Sequence, residues 1–172
     1  FGSEKKPNIQ LIDKNYLDLL LQKYTLSVTH LSSYLDCPLR FYFQNLVRVP
    51  AGKSPSATFG LAIHWALNRL YLRMHENNQF PDENYLFEQF EWFMKRNRES
   101  FTKDQFKLRK EYGQRIITPY YLKYVNTWNK VAVTERSIKN VIINDVPIKG
   151  NLDKIEFQGK QANVVDYKTG KY

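Results

Sequence analysis

Two aspartates and a lysine near the C-terminal end of the sequence are the residues whose types and spacing could do chemistry: Asp153 in GNLDKIEF, and Asp166 and Lys168 in NVVDYKTG. On a strand, the period of two puts Asp166 and Lys168 on one face and Tyr167 on the other. The backbone carbonyl of Tyr167 then lies between the two functional side chains. Asp153 and Asp166 are about equally far from Gly159, so a hairpin turning there sets them opposite each other. Like charges directly opposite are destabilising, and a divalent cation removes the repulsion. Two carboxylates, a carbonyl and waters form the oxygen-rich shell that Mg2+ or Mn2+ prefers. Such an ion lowers the pKa of its bound water and polarises a phosphate. An ammonium beside it can orient that water or stabilise developing negative charge, and the spacing does not say which. The chemistry that fits is phosphodiester hydrolysis. Taken alone, these three residues are explained more simply by a charged hairpin face with a surface ion pair.

The elements that must position these residues change character along the chain. Apolar spacing predicts a helix over 12–24, with Leu17, Leu20, Leu21 and Tyr24 on one face. A short helix capped by Thr29 ends at Cys37-Pro38, and Pro38 suits the first turn of the next. The segment 49–57 reads as a loop. Residues 58–76 form an amphipathic helix with the stripe Phe59, Ile63, Ala66, Leu67, Leu70 and Met74. Asp82 caps a helix running to about Ser100, and Thr102-Lys-Asp-Gln105 is a capping box opening another. Pro119 should kink or end that last helix. From about Val131 the residues become β-type, with turn signals at Asn144-Asp145 and Gln158-Gly159-Lys160. The expected organisation is one domain over 1–172, mainly helical over 1–130, with a three-stranded meander over 131–172. The fold class is α/β.

Lys and Arg number 26 against 17 Asp and Glu, a net charge of +9, which suggests a polyanionic partner, most often nucleic acid. The stretch 94–115 is rich in cations. Lys95, Arg96, Arg98, Lys107, Arg109 and Lys110 could follow a phosphate backbone, or simply form a solvated face held by local ion pairs. Aromatics such as Phe41, Tyr42, Phe43, Tyr120 and Tyr121 are core residues by default. His30 and His75 have no acidic arrangement around them and read as structural. The single cysteine, Cys37, excludes an internal disulfide and any multi-cysteine metal site made by this chain alone, and favours a reducing, cytoplasmic setting. No apolar run approaches the ~18 residues of a membrane span, and no membrane association is expected. The chain does not begin with Met and reads as a fragment of something longer.

The segment GNLDKIEFQGKQANVVDYKTGK resembles the active-site hairpin of the PD-(D/E)XK nuclease superfamily in its RecB-like branch, through Gly150, Asp153 and Asp166-Tyr167-Lys168-Thr169-Gly170. Two further blocks are similar and in the right order: LSVTHLSSYLDCPLRFYF, and FGLAIHWALNRLY with its Gly60-x-x-x-His64. The resemblance implies a restriction-endonuclease-like mixed sheet with a helical N-terminal half. It implies Asp153, Asp166 and Lys168 as catalytic residues, and His64, Asp153, Asp166 and the Tyr167 carbonyl as ligands of Mg2+ or Mn2+. Glu135 resembles an acidic position often seen on the first strand. The implied function is a metal-dependent DNA nuclease domain, one often joined to UvrD-like or AddB-like helicase domains in DNA repair and recombination. A non-catalytic DNA-binding module of the same fold, or an unrelated basic α+β interaction domain, are the alternatives. Three departures matter. The helix that carries a Gln and a Tyr after the lysine strand is absent from the sequence, so weak or no activity is expected of this chain alone. Cys37 occupies the place of the first of four iron–sulfur cysteines, but the other three are missing, so no cluster is expected. The second acid is Asp where Glu is commoner.

Overall fold

The computed structural model describes residues 13–170, the side chain of Asn140 apart. The polar segment 1–10 and Ile12, the first residue of the expected opening helix, lie outside the described residues. The chain divides into two compact units, Phe1–Pro50 with Lys139–Gly150, and Ala51–Ile138 with Asn151–Tyr172.

In the first unit, α1 (Lys14–Gln22) is capped by Asp13, whose carboxylate accepts from the amides of Asn15 and Tyr16. No residue of α1 is fully buried, so its leucine face is only partly covered. Helix α2 (Val28–Asp36) is capped by Ser27 rather than Thr29: Ser27 is extended and its hydroxyl accepts from the His30 amide, which places Thr29 inside the first turn. Pro38 opens α3 (Pro38–Phe41), which runs on into a π-helical turn at Tyr42–Leu46. Tyr24 and Tyr34 both meet the Phe41 ring edge-on.

The second unit holds the main core. Helix α4 (Pro55–Asn77) begins three residues earlier than the expected start at 58, because Ser54 caps it and Pro55 fills the first turn, where a missing N–H costs nothing. Every residue of the expected stripe is buried, with Leu70 at 0% exposure. Helix α5 (Glu83–Arg96) is capped by Asp82, and α6 (Lys103–Tyr124) opens on the complete Thr102–Gln105 capping box. Helix α6 does not end at Pro119. Ile117 and Tyr121 bracket the proline and are both buried, and the Tyr121 hydroxyl donates to the Pro81 carbonyl at 2.6 Å. Those contacts hold the turn beyond the proline in helical form.

The strands are β1 (Ala132–Ile143), β2 (Val146–Gln158) and β3 (Gln161–Val165), paired in the order β1-β2-β3. β1 and β2 contribute residues to both units. Their turn, Asn144 (φ 47°) and Asp145 (φ 61°), has the two left-handed residues of a type I′ hairpin. β2 and β3 pair antiparallel from Lys154↔Val165 to Gln158↔Gln161, and Gly159 takes the left-handed turn position at φ 60°. An isolated parallel bridge joins Leu26 to Ile148. No helix among the described residues is long and apolar enough to cross a membrane.

Candidate metal centre and hairpin

Helix α4, β1 and β2 deliver one side chain each to a single point. His64, Glu135 and Asp153 offer a ring nitrogen and two carboxylate oxygens that all lie within 4.8 Å of one another. His64 and Asp153 are largely enclosed, with side-chain exposures of 25% and 12%. Gly60 stands one turn before His64. A Cβ there would lie 3.2 Å from the Thr169 hydroxyl, so a larger residue would require the Thr169 side chain to give by a few tenths of an ångström.

Asp153 is held from two sides. Its Oδ2 accepts from the Tyr167 amide at 2.7 Å, and its Oδ1 lies 3.2 Å from His64 Nδ1. His64 Nε2 in turn lies 3.0 Å from the Tyr167 carbonyl oxygen. Both histidine contacts face oxygen acceptors. They are satisfied together only if both ring nitrogens carry hydrogen and the ring is a cation. A neutral ring has one lone pair, and here that lone pair is aimed at an oxygen. A bound cation in place of the proton resolves the same conflict, and a nitrogen with two carboxylates is a donor set that divalent metals accept.

Glu135 reaches this cluster from a strained residue. Its φ is 51°, the left-handed region, within a strand, where a non-glycine residue costs about 1–3 kcal/mol. The neighbouring Thr134 hydroxyl donates to Asn68 of α4 at 2.6 Å, and Asn151 donates to the Glu135 carboxylate at 3.0 Å. Burial, and then the charge of Asp153, hold the Glu135 carboxyl above its ordinary range, while His64 and the Asn151 hydrogen bond act the other way.

The structure brings Asp153, His64 and Glu135 together with the Tyr167 carbonyl. Asp166 follows the last ladder pair, and continuing the β2–β3 register sets it opposite Asp153. Its carboxylate pairs instead with Lys168 at 2.7 Å, both side chains being well exposed. Tyr167, beyond the end of β3, packs on the core with its ring in an edge contact with His64. Beside this segment a cavity of about 440 Å3 is lined by Asp166, Lys168 and apolar residues including Ile63, Leu67 and Tyr120.

Sequence reasoning did not single out Lys154. Its side chain is 4% exposed, bound to Glu156 at 2.7 Å and to the Tyr71 hydroxyl at 3.1 Å. It fixes β2 on α4 one residue from Asp153. A lysine on a strand, two residues from a glutamate on the same face and next to Asp153, is the signal that could have found it.

The six cations proposed for a phosphate track lie on α5, the short turn after it, and α6. Lys95 and Lys110 both pair with Glu91, and together they hold that carboxyl below its ordinary range. Arg96 lies over the Trp92 ring and Arg98 over Phe106. Arg109 covers Phe59 and donates to the Ser56 hydroxyl at 3.1 Å. Lys107 is exposed on α6. His30 is bonded to the Tyr24 hydroxyl, His75 lies in the last turn of α4, Tyr121 is buried, and Tyr120 packs against the core.

The PD-(D/E)XK nuclease superfamily model matches residues 25–172, a span that contains the helix bearing His64 and the whole hairpin. The chain therefore belongs to the PD-(D/E)XK nuclease superfamily, and its helical N-terminal half with a sheet carrying the acidic cluster is a restriction-endonuclease-like α/β fold. No match is found among curated proteins or among solved structures.

Proposed function

We propose that this protein is a DNA nuclease domain in which His64, Glu135 and Asp153, with the Tyr167 carbonyl and Asp166, hold Mg2+ or Mn2+. The observation that carries the reading is the pair of histidine contacts, each nitrogen facing an oxygen, beside a strained glutamate. When bound, the cation would supply an activated water and charge neutralisation at the scissile phosphate. The protein's own residues do the rest. The Tyr167 amide fixes the Asp153 carboxylate. Lys168, one strand repeat beyond Asp166, presents an ammonium that stabilises the negative charge developing on phosphate oxygens. The cations of α5 and α6 offer a path for the backbone, with Lys95, Arg96 and Lys107 exposed. Resemblance to the RecB-like branch supports a place beside helicase domains in repair or recombination, and the lone cysteine supports a reducing, cytoplasmic setting.

The test is cleavage of labelled single- and double-stranded oligonucleotides with and without Mn2+, for the protein and for Asp153→Asn. The reading expects metal-dependent cleavage, weak in this chain, that the variant loses. DNA binding with neither cleavage nor Mn2+ binding at any metal concentration would make this a binding module instead.

A further inference from the structure

The first unit contains a cavity that the hairpin chemistry does not use. About 300 Å3 in volume, it is lined by Lys23, Arg48 and Lys149 together with Tyr16, Tyr24 and apolar residues, and no carboxylate among the described residues lines it. Among the described residues none of these three cations forms a salt bridge with an acid.

Three separate elements bring the cations in. Lys23 is the residue that ends α1. Arg48 follows the π-helical turn at φ 60°, a left-handed position that glycine usually takes at a helix end. Lys149 enters on β2, where its amide donates to the Leu26 carbonyl at 2.8 Å, next to the Leu26–Ile148 bridge. Helix ends attract cations because their carbonyls are unpaired, and that accounts for Lys23 and Arg48. It does not account for Lys149, which belongs to a strand and is only half-exposed. Three like charges around one concavity repel one another unless an anion sits among them. Their field is felt inside the unit: after burial, Lys149 and Arg48 hold His30 below its ordinary range. Tyr24, whose hydroxyl meets His30, is held above its ordinary range by burial, against Arg48.

We infer that this cavity is a phosphate site that grips the backbone of a nucleic-acid strand. Lys23, Arg48 and Lys149 supply the charge, and the exposed Tyr16 and the half-buried Tyr24 offer ring surface to the sugar and base beside it. The assignment of the phosphate to a polynucleotide rests on the nuclease reading; the anion site itself rests on the cavity.

The test is fluorescence anisotropy of a labelled 20-nucleotide single strand in EDTA, where no cleavage occurs, across a salt series. Lys23→Gln/Lys149→Gln should bind at least tenfold more weakly. The slope of log affinity against log salt should fall by about 0.7 for each phosphate that is no longer neutralised. Inorganic phosphate at matched ionic strength should compete poorly, because it offers one anion where a strand offers several. In a parallel titration followed by NMR, the amides of Lys23, Tyr24, Arg48 and Lys149 should shift in the unmodified protein, so the result does not depend on the variant folding. Unchanged affinity and slope, or unmoved amides, would overturn the site. Strong competition by inorganic phosphate would assign it to a free anion and refute the strand. Because metal is absent throughout, a failure here is distinct from a failure of the metal centre, which the Mn2+-dependent cleavage assay reports separately.

Discussion

The imidazole of His64 lies 3.2 Å from the carboxylate of Asp153, 89 positions further along the chain. Helix α4 and strand β2 meet so that a ring nitrogen and a carboxylate oxygen point at each other, while the other ring nitrogen faces the Tyr167 carbonyl. If that arrangement exists to hold a metal, removing the ring removes a ligand and leaves the carboxylates in place. His64→Ala should lower Mn2+ affinity on the order of tenfold or more, read by isothermal titration calorimetry. An affinity equal to that of the unmodified protein would mean that His64 is only a hydrogen-bonding partner of Asp153.

Glu135 gives a prediction in pH. Its carboxyl is raised by burial and by Asp153, so it keeps its proton to higher pH in the folded protein than in the unfolded chain. A raised acid favours the folded state most below its ordinary value, about 4.3, and that contribution is lost as pH rises through the raised value. In EDTA at neutral pH, Glu135→Gln should therefore be more stable than the unmodified protein, and the gap should close on acidification. Added Mn2+ should reverse the order, because only the carboxylate gains from the cation. Thermal melts at several pH values with and without Mn2+ decide it; a variant that gains as much from Mn2+ as the unmodified protein would remove Glu135 from the centre.

Asp166 and Lys168 form an exposed pair, and such pairs contribute about 0–1 kcal/mol to stability. Asp166→Asn and Lys168→Ala should therefore melt close to the unmodified protein. Both should lose cleavage, and Lys168→Ala should keep its Mn2+ affinity. A large drop in melting temperature would make the pair structural.

Lys154 behaves in the opposite way. Its ammonium is buried between Glu156 and Tyr71, and removing one member of a buried pair leaves the other uncompensated. Lys154→Ala should cost about 3–5 kcal/mol, while Lys154→Met, which keeps the volume, should cost less. Urea denaturation measures both, and a loss below about 1 kcal/mol for the alanine variant would show that Glu156 is already satisfied by solvent.

Much of this was legible in the sequence because the signals were local. The stripe from Phe59 to Met74, the Asp82 cap, the Thr102–Gln105 capping box and the turns at Asn144-Asp145 and Gly159 each state their structure within a few residues, and the equal spacing of Asp153 and Asp166 about Gly159 anticipated the β2–β3 register. What was not legible depends on partners far along the chain. Helix α6 runs on past Pro119, flanked by the buried Ile117 and Tyr121. The left-handed backbone of Glu135 has no residue-type signature. The pairing of Lys95 and Lys110 on a shared Glu91 requires knowing that α5 and α6 lie side by side.

The central claim, that His64, Glu135 and Asp153 are the protein side of a divalent-metal centre, is tested most directly by a crystal grown or soaked with Mn2+ and measured for anomalous scattering. The account predicts one strong peak within roughly 2–2.5 Å of a His64 ring nitrogen and of an Asp153 and a Glu135 oxygen. A peak elsewhere, or a fully occupied Mn2+ with His64 still bonded to both Asp153 and the Tyr167 carbonyl, would contradict it.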